Sequence, residues 1–318
     1  MVAINQSEKL EPADPMKTEF KTIIRTVRHS IGGAICAGAV LLVAPCAPAQ
    51  NLFVANFSNF GYITKITPGG VESVFATGFN NPLGLAFNHA GDLFVSSGTI
   101  GGTVTRITPG GVQSVFASGL FIPGGMAFDN AGNLYVASAD GNVYKYTTGG
   151  TRSTFASGLS DPYALAFNTG GNLFVADPGN NNIVEITPGG VQSIFAAGLD
   201  RPTALAFDSA GNLFQANEAT STIYEYTPGG VRSTFASVPA PWGLAFNSAG
   251  DLFESDSFGN NITRITPGGA QSTFASGLSD PIGLAFQPVP EPSALGLLAV
   301  GVTALVVRCR RNLAAVRT

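Results

Sequence analysis

The stretch "ITPGGVQSVFASGL" at Ile107 to Leu120 returns as "ITPGGVQSIFAAGL" at Ile186 to Leu199, and looser copies fill the chain between them and on either side. Pro82, Pro123, Pro162, Pro202, Pro241 and Pro281 mark the period, at intervals of 41, 39, 40, 39 and 40 residues. Each unit holds four short apolar stretches such as "GLAF", "NLFV", "ITRIT" and "VQSVFA", termed here strands a, b, c and d. Their β-branched and aromatic content suits strands. "AGN" or "AGD" separates a from b, and "TPGG" separates c from d. Glycine supplies the positive φ that such tight turns need, and proline presets the first turn angle. A module this small cannot shelter its own apolar face, so neighbouring copies must cover it. A period near forty residues with four strands per unit predicts an all-β, six-bladed propeller with four-stranded blades.

The ends of the array agree with a ring. It opens on strand b, "NLFVAN" from Asn51, and closes on strand a, "IGLAFQ" up to Gln287. Pairing the first and last strands completes one blade and removes the free sheet edges. Strand a repeats Phe87, Phe128, Phe167, Phe207, Phe246 and Phe286; strand d repeats Phe75, Phe116, Phe155, Phe195, Phe235 and Phe274. Strand b adds Phe53, Phe94, Tyr135, Phe174, Phe214 and Phe253. These positions take 17 of the 23 phenylalanines, and we expect their rings to stack from blade to blade as framework.

The flanks read differently. Lys17, Lys21, Arg25 and Arg28 precede an apolar run from Ile31 to Val43, and "APAQ" follows at Ala47. That order of basic, apolar and small residues is a secretory signal peptide, assigned to residues 1–49; Met16 offers a second start closer to the basic region. At the other end Pro290, Glu291 and Pro292 lead into an apolar stretch from Ala294 to Val307, then Arg308, Arg310 and Arg311. The segment 289–318 resembles the PEP-CTERM sorting signal of Gram-negative bacteria. The resemblance implies export, an exosortase-type processing partner, passing attachment to the membrane through the tail, and a link to exported polysaccharide. A short apolar helix is expected at each terminus. Cys36, Cys46 and Cys309 all fall in these flanks, so the body at 50–288 must hold itself together without disulfides.

The unit "NLFVADPGNNNIVEITPGG" at Asn172 to Gly190 resembles the NHL repeat and its six-bladed relatives. That group includes gluconolactonase-like and regucalcin-like enzymes as well as binding modules, so the resemblance implies fold more sharply than activity. Function is sought where the copies diverge. By propeller connectivity the a–b and c–d turns share one rim, nearly invariant here, and the b–c and d–a loops share the other. The residue ending strand b reads Asn56, Ser97, Ser138, Asp177, Asn217 and Asp256, and strand b exchanges its Val for Gln215 and Glu254 in adjacent units. We expect these polar groups, with Glu218, around the pore mouth. Asp177, Asn217, Glu254 and Asp256 are candidate ligands for a divalent metal such as Ca²⁺, since carboxylates and amides are hard oxygen donors. The same four would serve a metal-dependent, lactonase-like hydrolase or a lyase; the plainer alternative is that they satisfy strand ends beside a wet channel.

Aromatic residues outside the framework also fall on the divergent rim: Phe57, Phe60, Phe79, Phe121 and Phe258 in loops, with Tyr163 and Trp242 directly after ring prolines. They are expected to form a binding platform for sugar rings or a protein partner. The body's single histidine, His89, lies in an a–b turn, which disfavours Ser–His–Asp chemistry and histidine metal clusters. Seven Lys or Arg against fifteen Asp or Glu between Asn51 and Pro288 disfavour a nucleic-acid partner. The expectation is an exported binding protein of the cell surface or extracellular matrix, with an enzyme or a pure interaction scaffold as alternatives.

Overall fold

A computed structural model describes residues 49–289. The signal peptide, the sorting tail beyond Val289 and the apolar helix expected in each lie outside the described residues. Within them are 24 strands and no helix. They form six four-stranded antiparallel sheets, each ordered a-b-c-d. Blade 1 combines the last strand, Pro281–Phe286, with the first three, Leu52–Asn56, Gly61–Ile66 and Glu72–Phe79. The closing register pairs Leu52 with Phe286 and Val54 with Leu284. Beyond it the Gln287 backbone N–H donates to Asn51 O at 2.9 Å, and the Asn51 side-chain amide donates to Gln287 Oε1 at 2.9 Å. Both ends of the propeller are thereby fixed at the turn rim.

The turns are built as the repeated wording requires, with one addition. Gly70, Gly111, Gly190 and their counterparts adopt φ near +80°. The threonine of each "TPGG" is equally tied down: Thr67, Thr108, Thr147, Thr187, Thr227 and Thr266 each accept, through Oγ1, the backbone N–H four residues on. A side-chain acceptor at that position closes the turn locally.

The phenylalanines seal the blades edge-on instead of stacking. Phe53 meets Phe75 of its own blade at 4.9 Å and Phe87 of the next at 5.1 Å, with interplanar angles of 86° and 75°. The same triad recurs at Phe94, Tyr135, Phe174, Phe214 and Phe253. The positive ring edge faces the negative ring face, which contributes about 0.5–1.5 kcal/mol per pair beyond area burial. Phe253 with Phe286 makes the last of these seals, between blades 6 and 1.

Strand a alone lines the axis. Its glycines pack against the next inner strand: a side chain on Gly243 would collide with the Ile282 carbonyl, and one on Gly283 with that of Leu83. Leu85, Met126, Leu165, Leu205, Leu244 and Leu284 form a ring of buried apolar side chains across the channel, leaving a cavity of roughly 90 Å³. The axial cavity is small and lined by strand-a residues together with Tyr163, which directly precedes one of those strands.

Candidate functional site on the loop rim

The residues ending strand b are latches, not pore-lining groups. Asp177 is fully buried and accepts the backbone N–H groups of Ser160 at 3.0 Å and Asp161 at 2.7 Å. Asn217 accepts Asp200 N–H at 2.9 Å, and Asn56 accepts Ser279 N–H at 3.2 Å. Ser138 donates to Phe121 O at 3.0 Å. Each fixes a d–a loop above its blade, which is why a short polar residue recurs there. Asp256 instead accepts Gly259 N–H at 2.7 Å in its own b–c turn.

Gln215 and Glu254 depart further from expectation. Strand b is second from the axis, so its two faces meet neighbouring blades and never the channel. Both side chains are fully buried between blades, where four sister positions carry Val54, Val95, Val136 and Val175. Glu254 has no hydrogen bond of good geometry at either carboxyl oxygen, although the Thr263 hydroxyl offsets part of the burial. Burial, reinforced by the nearby Asp256 charge, pushes its pKa up to about 9, so it is an uncharged acid at neutral pH. Asp177, Asn217, Glu254 and Asp256 consequently do not converge on one point, and among the described residues no three Asp, Glu, His or Cys side chains cluster as a metal site requires.

The pore mouth is formed by other residues. Tyr163 of blade 4 and Trp242 of blade 6 follow their ring prolines and meet over the axis, rings 5.8 Å apart and 65° to one another. Both line the small axial cavity. The Tyr163 hydroxyl and the Trp242 Nε1 are buried without an acceptor. Arg201 lies over the Trp242 ring at 5.8 Å and pairs with Glu218 at 2.8 Å. Burial, then the charges of Asp161 and Asp280, hold the Tyr163 phenol above its ordinary range. Asp161 and Asp280 themselves are raised, chiefly by burial.

Asp161, Arg201 and Asp280 were not singled out from sequence, yet the signal was present. They occupy the position before the ring proline, which reads Asn81, Ile122, Asp161, Arg201, Ala240 and Asp280 around the ring, as divergent as any. All but Asp161 adopt positive φ there, which turns each loop inward.

The other aromatics divide. Phe60 is 92 % exposed, Phe258 77 % and Phe121 39 %, whereas Phe57 is half-buried. Phe79 is a correction: it is only 4 % exposed and packs with Ile63, Ala76 and Leu85 in the core. Ile100, 80 % exposed at the start of strand c of blade 2, joins the exposed set, so the apolar tips lie on blades 6, 1 and 2.

Charge is partitioned between the rims. The loop rim carries Asp140, Asp161, Asp177, Asp200, Glu218, Asp256 and Asp280, with the buried Glu254 beneath, against Arg201 alone. The turn rim holds seven carboxylates against six Lys or Arg, several of them paired, as Arg106 with Asp92 at 2.6 Å and Arg264 with Asp251 at 2.7 Å.

Residues 288–311 match the PEP-CTERM protein-sorting motif. No curated protein matches the chain in sequence. Among solved structures, a chain of the nidogen/laminin complex superposes with TM-score 0.68 at 18% identity, covering 75% of this chain and 98% of that one. A streptogramin B lyase gives 0.57 at 14% identity, covering 75% and 95%. A catalytically inactive histidine-to-alanine variant of the virginiamycin B lyase from Staphylococcus aureus, with quinupristin, gives 0.56 at 15%, covering 75% and 92%. At these identities the likeness is one of fold. The chain is thus a six-bladed β-propeller that ends in a PEP-CTERM motif, the mark of an exported protein sorted by exosortase and held for a time at the membrane by its C-terminus.

Proposed function

We propose that this is a binding protein of the cell surface or extracellular matrix, released or retained through its tail, which engages an extracellular polysaccharide through the loop rim. The observation that carries this reading is the Tyr163–Trp242 pair at the pore mouth, with both residues partly exposed. Aromatic faces cover the apolar face of a sugar ring. Exposed Phe60, Phe121 and Phe258 extend the platform outward. A protein partner on those tips is the alternative occupant.

The lyase fold likeness favours catalysis less. The lyase variant described as inactive replaces a histidine, and the one histidine among the described residues, His89, stands on the opposite rim. Trp242 is the chain's single tryptophan, so its fluorescence reports the site directly. Titration with the producing bacterium's own exopolysaccharide is expected to give a saturable change, and Trp242→Ala to abolish co-sedimentation with that polymer. A flat titration together with unchanged co-sedimentation would sink the proposal.

A further inference from the structure

We infer that the turn rim holds a seat for the protein's own tail, occupied by the Pro-Glu-Pro triplet at residues 290–292. A cavity of roughly 680 Å³ opens on that rim between blades 1 and 2. One wall is the pair of propeller ends, residues 49–51 and 287–289; the other is the two turns of blade 2, at residues 89–91 and Pro109. Those turns adjoin, since a side-chain carbon on Gly91 would lie 3.8 Å from the Pro109 ring. The two ends are locked together: Gln50 Nε2 donates to Gln287 O at 3.0 Å, and Gln50 Oε1 accepts the Ser248 N–H of blade 6 at 2.7 Å. A seat walled by both ends of the array exists only once the ring has closed.

Both flanks of the chain border this seat, and exposure separates them. Ala49 is exposed, so the N-terminal flank departs toward solvent. Pro288 and Val289 are half-buried along the cavity, although no strand holds them. The C-terminal flank has therefore entered the seat by its last described residue. Its onward course follows from the run Pro288-Val289-Pro290-Glu291-Pro292. Each proline fixes its own φ and drives the residue before it into extended backbone. Such a run is a semi-rigid strut that rises about 3.1 Å per residue, so it carries the direction of Pro288 and Val289 along the cavity. Being stiff beforehand, it loses little conformational entropy on docking.

The lining suits this occupant. Ala90, Pro109 and Val289 are apolar, and His89 brings a ring N–H donor. No carboxylate lines the cavity to repel Glu291, the single acidic residue of the tail.

Ala90 and Ala249 hold the same place in "NHAGD" and "NSAGD", the turns of the two blades that flank blade 1. A free tail meets both turns, and a seated tail meets only the first. The test oxidises the full chain in mild detergent, with Cys36→Ser and Cys309→Ser, Cys46 kept, and Glu291→Cys combined with either Ala90→Cys or Ala249→Cys. Disulfide formation is expected to be at least about tenfold faster with Ala90→Cys, because seating raises the effective concentration at that turn alone. Equal rates overturn the seat and leave a free tail. A bond from position 90 to Cys46 overturns it in favour of the N-terminal flank, and a bond between two molecules in favour of a second copy's tail. Adding Pro290→Gly and Pro292→Gly is expected to cut the preference for position 90 by at least about threefold, with the thermal midpoint in place. An undiminished preference overturns the strut on which the seat rests.

Discussion

Glu254 shows how far one residue can stand from its repeat. Four of the six copies place valine here, and the carboxyl group is buried without a hydrogen bond of good geometry, titrating near pH 9 when folded. Its unfolded value is the ordinary one near 4.5. The folded state therefore holds the proton more tightly, so the associated stability is complete below about pH 4.5 and is lost as pH rises toward 9. The loss reaches up to about 1.4 kcal/mol per pH unit within that window. Urea midpoints of the native protein are expected to fall from pH 5 to pH 8, and the Glu254→Gln variant to lose most of that slope; parallel slopes would refute the assignment. Glu254→Val is expected to raise stability at pH 8 by about 2 kcal/mol, since it removes a buried polar group and restores the apolar contact. Ile122 is strained for a different reason. A β-branched residue at φ 44° is unfavourable by about 1–2 kcal/mol, and it is 37 % exposed, so little burial is at risk. Replacing it with asparagine, as at Asn81, is expected to raise the thermal midpoint by a few degrees.

At the scale of the element, the blade repeats one solution six times. Each strand-b ring touches two others edge-on, and the geometry is nearly identical at every joint. Truncating Phe174 or Phe253 to alanine is expected to cost about 3–5 kcal/mol in either case, although the first lies within the array and the second packs against Leu52, Val54 and Ile66 of the closing blade. A closing blade weaker than the rest would show as a much smaller loss for Phe253→Ala in chemical denaturation. Its joint matters because it removes an edge. Deleting the last strand, from Pro281 onward, exposes the ladder of Leu52–Asn56, and the truncated chain is expected to aggregate or lose cooperative unfolding.

At the scale of the molecule, the position of the termini sets orientation. Strand a runs from the loop rim to the turn rim, so the chain leaves Phe286 at the turn rim, where Gln287 is held by Asn51 and Gln50. Only residues 290–293 separate Val289 from the apolar stretch of the tail, a reach of at most about 14 Å. A molecule held by that tail is expected to turn its near-neutral rim to the bilayer and its acidic, aromatic rim outward. Cysteines introduced at Ala90 on the turn rim and Asn59 on the loop rim are expected to differ in reaction with a bulky maleimide while the tail is embedded, Asn59→Cys being faster, and to react alike once the tail is removed. Equal rates in the tethered state would contradict the orientation.

The forty-residue period, the glycine and proline turns and the offset ends determined the blade count, the strand order and the closing strand. These are legible because each depends on neighbours in sequence, or on a repeat that every copy states again. The apolar run of strand b was legible too. What it could not say is that both faces of that strand meet other blades, so Gln215, Glu254 and the strand-end carboxylates turned out to be interior or latching groups and Phe79 a core residue. The mouth was decided by closure alone. Tyr163, Trp242, Asp161, Arg201 and Asp280 come from blades 4, 6, 5 and 1, and only the finished ring brings side chains so far apart in sequence within reach of one another.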